Sequence, residues 1–327
     1  MRISLYLSIV FSVILLFPSC GSKVYSTCEG SVWNTLYHIT YCGDADFSDS
    51  IRSVLRKVEM SVSAFNKESV VSKINRNADM TVDHGFKEVY DMSRAVWECS
   101  DGAFDPTLAP LINAYGFGYT DSIHVNKSVI DSIHKYVGLG KTAITPDGRM
   151  QKADPRMEFN FSAIAKGYGC DKVAEMFENN GISDFMIEIG GEIVVRGLNP
   201  HGEKWNISVD RPVFSKDMAM HESQTVVALT NCGIATSGNY RNYKGSGDKR
   251  FGHTVDPLTG KPAINDLASA TVIAPTCMEA DAYATACMAM GARRAKNMIQ
   301  EADLPALLIF TDGTVWQTPA FKDLVVK

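Results

Sequence analysis

The stretch Phe185-Met186-Ile187-Glu188-Ile189-Gly190-Gly191-Glu192-Ile193-Val194-Val195 decides the fold class. Apolar residues recur at every second position through Phe185, Ile187 and Ile189, a glycine pair intervenes, and Ile193 and Val195 resume the alternation. A two-residue period buries one face of a strand, so this segment reads as a strand pair or a bulged strand. The residues just before it keep a helical period. Val173, Met176 and Phe177 point inward from a helix over about Ala165 to Asn180, with Gly181 as the glycine that ends it. Toward the C-terminus, Trp205, Ile207 and Val209, then Thr225 to Leu229, then Ala270 to Ile273 read as strands. The last helix spans about Met278 to Met290 and closes at Gly291; a hairpin follows, Leu307 to Phe310 and Thr314 to Gln317, around an Asp312-Gly313 dipeptide that suits a type I′ turn. Toward the N-terminus, one helix carries Phe86, Val89, Tyr90, Val96 and Trp97. Another, from Ser50 to Ser61, carries Ile51, Val54, Leu55 and Val58, with Asp49 or Ser50 as N-cap. Before it, Trp33, Thr35, Tyr37, Ile39 and Tyr41 alternate as a strand. Strands and helices mix without strict βαβ alternation, which predicts an α+β fold with mixed or antiparallel sheets and packed helices.

Arg2, the uncharged run Ile3–Phe17 and then Ser19-Cys20-Gly21-Ser22 have the form of a secretory signal. The apolar run is shorter than the ~20 residues a helix needs to span a bilayer. Ser19-Cys20 resembles a lipobox, so residues 1–19 read as a lipoprotein signal peptide and Cys20 as the acylated new N-terminus. Residues 20–29 then form a tether and 30–327 the folded domain. This predicts a membrane-anchored lipoprotein of the cell envelope, facing the periplasm. Cleavage removes Arg2 alone among the charged side chains and moves the formal net charge from −5 to −6, which argues against a nucleic-acid partner. The other seven cysteines, Cys28, Cys42, Cys99, Cys170, Cys232, Cys277 and Cys287, are scattered without a C-x-x-C. They read as small buried apolar residues rather than as a disulfide framework or a zinc site.

Four segments are too polar and glycine-rich for plain core: Ala103 to Thr107 with Tyr115 to Gly118, Asn160 to Tyr168, Thr236 to Tyr243, and His253 to Gly260. In the second, a strand runs into a helix start, where free N–H groups and Lys166 favour an anion. On the last predicted helix, Asp281 and Thr285 are four residues apart, so a carboxylate and a hydroxyl share one face. Two such oxygens with one backbone carbonyl suit a magnesium ion that keeps phosphate and water among its ligands. Helix capping and packing would account for the same pair in isolation.

Taken together and in order, several motifs resemble the FAD:protein FMN transferase family, also called ApbE, over the whole chain after Gly30. They are Gly30-Ser31 to Tyr37; Ser63-Ala64-Phe65-Asn66 with Ser69, Ser72 and Asn75; Phe104-Asp105-Pro106-Thr107; Ala163-Ile164-Ala165-Lys166-Gly167-Tyr168; Glu188 to Glu192; Ser237 to Tyr243; His253 to Gly260; and Asp281 to Thr285. The resemblance implies an α+β fold related to the T-fold. It also implies cleavage of FAD at its pyrophosphate with magnesium, release of AMP, and a phosphoester bond between FMN and a threonine of an acceptor flavoprotein. That acceptor is expected to be a subunit of a membrane redox complex, such as a sodium-pumping NADH:quinone reductase or a related electron-transport complex.

Carried over position by position, the resemblance places magnesium on the Asp281 and Thr285 side chains and the Ala163 carbonyl. It places FAD against Trp33, Phe65, Asn66, Ala103, Phe104, Asp105, Asn160, Lys166 and His253. Lys166 and His253 become the catalytic candidates, one neutralising phosphate charge and the other taking the threonine proton, for which an imidazole is suited near neutrality. Asn160 stands where the family commonly has aspartate, and Ala284 supplies no further helix carboxylate. Two alternatives stay open: an FAD pyrophosphatase giving free FMN and AMP, and a flavin-binding lipoprotein without turnover.

Overall fold

The computed structural model describes residues 23–120, 122–212, 222–238, 243–244, 251–252, 254–263 and 266–326. The signal segment 1–19, Cys20, Asn239 to Asn242 and His253 lie outside the described residues. The central element is an eight-stranded sheet: β1 (Tyr25–Val32), β2 (Thr35–Cys42), β3 (Phe185–Ile189), β4 (Glu192–Arg196), β5 (Cys232–Gly238), β6 (Leu267–Ala274), β7 (Ala306–Phe310) and β8 (Val315–Gln317). The strands lie side by side in chain order, and every neighbouring pair is antiparallel. Five longer helices are insertions into this meander: α1 (Ser48–Val62), α2 (His84–Cys99) and α3 (Ala165–Asn179) between β2 and β3, then α4 (Cys277–Met290) and α5 (Ala292–Glu301) between β6 and β7.

Each face of the sheet is covered by what the alternation exposes. Tyr37, Ile39, Tyr41, Ile187 and Ile189 pack with Ile51 and Leu55 of α1 and Val173 and Phe177 of α3. On the opposite face, Val195, Ile234, Ile273, Leu307 and Ile309 pack against a separate hairpin carrying Trp205, Ile207, Val209, Val227 and Leu229. All eight residues of β6 are buried, as a strand covered on both faces requires. The segment 185–195 is a hairpin, Ile189 paired with Glu192 across Gly190-Gly191, whose φ angles of 63° and 102° are what a two-residue hairpin loop demands.

The structure departs from the sequence expectations in five places. The tether is shorter than residues 20–29, because β1 already starts at Tyr25; its side chains are half exposed at the sheet edge, so no clean alternation marks it. Trp33 does not begin a strand. With Asn34 it forms the β1–β2 turn, at φ 49° and 60°, a backbone that sequence rules assign to Asn-Gly rather than to tryptophan. Conversely, at Asp312-Gly313 only Gly313 has positive φ, and Phe310 N–H donates to the Thr314 carbonyl at 2.9 Å, so this is a three-residue loop ending in a left-handed glycine rather than a type I′ turn. Finally, α4 is not the last helix: Gly291, at φ 76°, ends it and α5 starts at the next residue. α1 also begins at Ser48 behind Phe47, without a side-chain cap. The described cysteines are free thiols, four of them buried (Cys28, Cys170, Cys277 and Cys287).

Three elements converge on the backbone of Cys277 at the start of α4. A Cβ on Gly233 of β5 would sit 2.4 Å from the Cys277 N and Cα, and one on Gly167 of α3 would sit 2.3 Å from its carbonyl oxygen. Backbone cannot give way as a flexible side chain can, so these glycines set the spacing of α3, β5 and α4. Gly233→Ala is expected to cost about 1–3 kcal/mol by overpacking, read as a drop of several degrees in the thermal midpoint. An unchanged midpoint would mean that β5 and the start of α4 are not in contact at Gly233.

Candidate active site

The three converging elements open on a cleft of about 880 Å³. Its apolar lining is Trp33, Phe65, Phe104, Leu108, Ile112 and Phe117, and its polar lining includes Asn160, Ser162, Lys166, Glu192, Ser237, Asp281 and Thr285. Such a volume accommodates a ligand the size of a dinucleotide.

Most of the sequence-predicted residues meet here. Trp33 reaches the cleft from the β1–β2 turn; its ring packs on α3 where Gly169 leaves room, a Cβ there coming within 2.6 Å of the indole, and its buried Nε1–H has no acceptor among the described residues. Phe65 is 58% exposed and meets Tyr119 edge-on with ring centres 6.0 Å apart, so it can cover an incoming ring. Ala103, Phe104 and Asp105 line the wall, but the Asp105 carboxylate serves its own loop. It accepts from the Thr107 N–H at 2.8 Å, the Thr107 hydroxyl at 2.6 Å and the Leu139 N–H at 3.1 Å, while burial pushes its carboxyl above the usual range. Asn160 likewise staples the wall, donating its N–H to the Pro106 carbonyl at 2.8 Å and accepting from the Ser162 N–H at 2.9 Å. Asn66 is not brought into the cleft. It faces a neighbouring notch, where its amide donates to Glu59 at 2.8 Å and accepts from the Glu68 N–H at 3.0 Å, so its polar atoms are used in shaping its own turn.

Ala163, Asp281 and Thr285 share the cleft lining. Asp281 on α4 is 3% exposed and accepts the N–H of Gly167 at 3.1 Å, at the free N-terminal turn of α3. Thr285, one turn on, places its hydroxyl 3.0 Å from that of Ser237 and 3.4 Å from the Ala163 carbonyl. Burial, then the charge of Glu192, push the Asp281 carboxyl up to about 8, against the opposing pull of Lys166 and the Gly167 N–H. Lys166 forms an ion pair with Glu192. Burial works against its ammonium, but Glu192 and Asp281 outweigh it and hold the group above the ordinary lysine range. Among the described residues no three His, Cys, Asp or Glu side chains form a metal cage. The donors present are carboxylate, hydroxyl and carbonyl oxygens around an acid under negative strain, which fits a hard cation that brings its own water and phosphate ligands.

Sequence reading gave no role to three residues that shape the cleft, Glu192 and Ser237, which stand inside quoted motifs, and Asp171, which stands in none. Glu192 stands in phase with buried Val194 on β4, and an acid on the core side of a strand was the available signal. Ser237 orients Thr285. Asp171 of α3 caps α4 by accepting the N–H groups of Cys277 at 2.9 Å and Met278 at 2.7 Å, with burial raising its carboxyl to about 6; nothing local in the sequence marks so remote a cap.

Fold and cleft together define a class: an antiparallel α+β protein that sets a half-buried lysine, ion-paired to a buried glutamate, beside carboxylate, hydroxyl and carbonyl oxygens. Known proteins match this chain. The sequence pattern of the ApbE family matches residues 33–308. The chain is 32% identical over 322 residues to the FAD:protein FMN transferase of Haemophilus influenzae, covering 93% of this chain and 92% of that one. It is 30% identical over 333 residues to that of Vibrio cholerae, covering 98% of each. The solved flavin transferase ApbE from Vibrio cholerae superposes with a TM-score of 0.81 at 29% identity, covering 92% of this chain and 99% of that one. The apo form of Pseudomonas stutzeri flavinyl transferase ApbE gives 0.83 at 26% identity, covering 94% and 98%. The chain belongs to the ApbE family.

The Asp281 carboxyl holds its proton more tightly in the folded chain than in the unfolded one, where an aspartyl group titrates near 4. Its contribution to stability therefore falls as pH rises from about 4 to about 8. Asp281→Asn, neutral at every pH, should gain on the wild type in metal-free buffer as pH rises from 5 to 8.5, by on the order of 2 kcal/mol between the two. Thermal melts at the two pH values check this, and the same difference in midpoint at both would show that Asp281 is not strained.

Proposed function

We propose that this chain is a magnesium-dependent transferase that splits FAD and joins its FMN half, through a phosphoester bond, to a threonine of an acceptor protein, releasing AMP. The observation that carries this reading is the meeting in one cleft of the Ala163 carbonyl, Asp281 and Thr285 with the Lys166 ammonium, beside an aromatic wall. Relatives and solved structures that bear the name FAD:protein FMN transferase or flavin transferase support it. Asp281, Thr285 and the Ala163 carbonyl would hold a magnesium ion, which would supply charge neutralisation at the pyrophosphate. Lys166, kept protonated by its carboxylate neighbours, adds a fixed positive charge that the transferring phosphoryl group needs. Trp33, Phe65 and Phe104 offer the isoalloxazine apolar walls. The threonine oxygen bonds to the FMN-side phosphorus, the bond from that phosphorus to the AMP oxygen breaks, and AMP leaves. The hydroxyl proton is assigned to His253, which lies outside the described residues.

The leader and Cys20 place the enzyme, on this reading, on the envelope membrane as a lipoprotein, with its acceptor in a membrane redox complex. Among the described residues no helix is long and apolar enough to cross a membrane.

The test is mass spectrometry of a flavoprotein subunit that carries a threonine next to small residues, incubated with enzyme, FAD and magnesium. The acceptor should gain FMN less water, with AMP in equal amount, and an acceptor Thr→Ala variant should gain nothing. FMN and AMP in solution with no adduct would establish the hydrolase instead. Asp281→Ala should lower magnesium-dependent turnover by at least a hundredfold and Thr285→Val by less, both with cooperative melts. Full turnover in Asp281→Ala, with magnesium still required, would place the metal elsewhere.

A further inference from the structure

Two acids lie buried within reach of one lysine. Glu192 comes from β4, with its side chain 4% exposed, and Asp281 from α4, itself 3% exposed; Lys166, at the start of α3, carries the cation. Glu188, the next acid on the same hairpin, adds like charge and is itself taken by His38 at 2.6 Å and the Gly191 N–H at 2.6 Å. A lysine is a compact charge on a flexible four-carbon arm, so it settles on whichever carboxylate the fold presents best. Here it settles on Glu192. Asp281 is left with the Gly167 N–H at 3.1 Å, and beside it stand the Thr285 hydroxyl and the Ala163 carbonyl, themselves 3.4 Å apart. Had Lys166 turned to Asp281, an internal ammonium would fill the place where those oxygens converge.

We propose that Glu192 is a positioning residue that keeps the Lys166 ammonium on the cleft wall and off Asp281, so that Asp281 stays open to a divalent cation. This rests on the proposed magnesium site and adds a function for a residue outside its proposed ligands. Burial supports it. An acid with a 4% exposed side chain on the core side of a strand is costly without a partner, and a plain packing role would be served better by an apolar side chain.

The experiment is calorimetric titration of magnesium alone into the full chain, wild type and Glu192→Gln, with a crystal structure of the variant. The expected result is at least tenfold weaker magnesium binding in Glu192→Gln, with Lys166 Nζ moved onto the Asp281 carboxylate. Glu192→Asp, which keeps the charge, should recover most of the affinity. Magnesium affinity within twofold of wild type in Glu192→Gln overturns the proposal. So does weaker binding with Lys166 still away from Asp281, which would be the mere loss of a negative charge. If Glu192→Gln does not fold, Lys166→Ala tests the same competition. It removes the rival cation, so it must bind magnesium at least as tightly as wild type, and weaker binding overturns the idea. A wild-type chain that binds no magnesium would overturn the metal site of the proposed function itself, and this partition with it.

Discussion

At Cys277 the backbones of α3, β5 and α4 approach so closely that neither Gly167 nor Gly233 has room for a methyl group. Asp171 closes the same corner by capping the two leading N–H groups of α4. Everything chemical in the cleft hangs from this contact. Lys166 and Gly167 belong to the first turn of α3, Asp281 lies one turn into α4 and Thr285 two turns in, and Ser237 is near the end of β5. Moving any one of the three elements by the width of a carbon would separate the Gly167 N–H from Asp281 and the Ser237 hydroxyl from Thr285. The large core on both sheet faces keeps the corner rigid, so the donors are held by scaffold rather than by loops.

The electrostatics follow from that placement. Bringing two elements together through backbone forces their side chains into a space from which water is mostly excluded, and there an acid without a cation holds its proton. Glu192 has Lys166; Asp281 has a single N–H and a second acid nearby. The site is thus strained in the way functional sites are, stability being given up where a ligand is to supply the missing charge.

Much of the fold was legible because burial writes its period into strands and long helices. The hairpin 185–195, α3 with its closing Gly181, and α4 with Gly291 were all readable from alternation, helical spacing and glycine punctuation. Short or exposed elements were not. β1 sits at the sheet edge, where half-exposed residues need not alternate, and α5 starts directly after the glycine that ends α4, so one signal served two elements. Within the site, Asp281 and Thr285 were visible as a helix-face pair, and Lys166 as a cation at a helix start. Glu192 and Ser237 fell inside quoted motifs without a role and Asp171 in none, since their partners are 26, 48 and 106 residues away in the chain and only the packing brings them together. Asn66 shows the converse: it belongs to a motif beside the cleft, but its polar atoms are used within its own turn.

The account's central claim is that Asp281, Thr285 and the Ala163 carbonyl form one cation site facing a bound pyrophosphate. A crystal structure of the chain with magnesium and ADP, which carries the pyrophosphate without the transferable flavin, tests it most directly. The account predicts one magnesium ion at about 2.0–2.1 Å from an Asp281 oxygen, the Thr285 hydroxyl, the Ala163 carbonyl and a phosphate oxygen, with Lys166 still paired to Glu192. Magnesium bound to Glu192 instead, or held by the phosphates alone with Asp281 untouched, would contradict it.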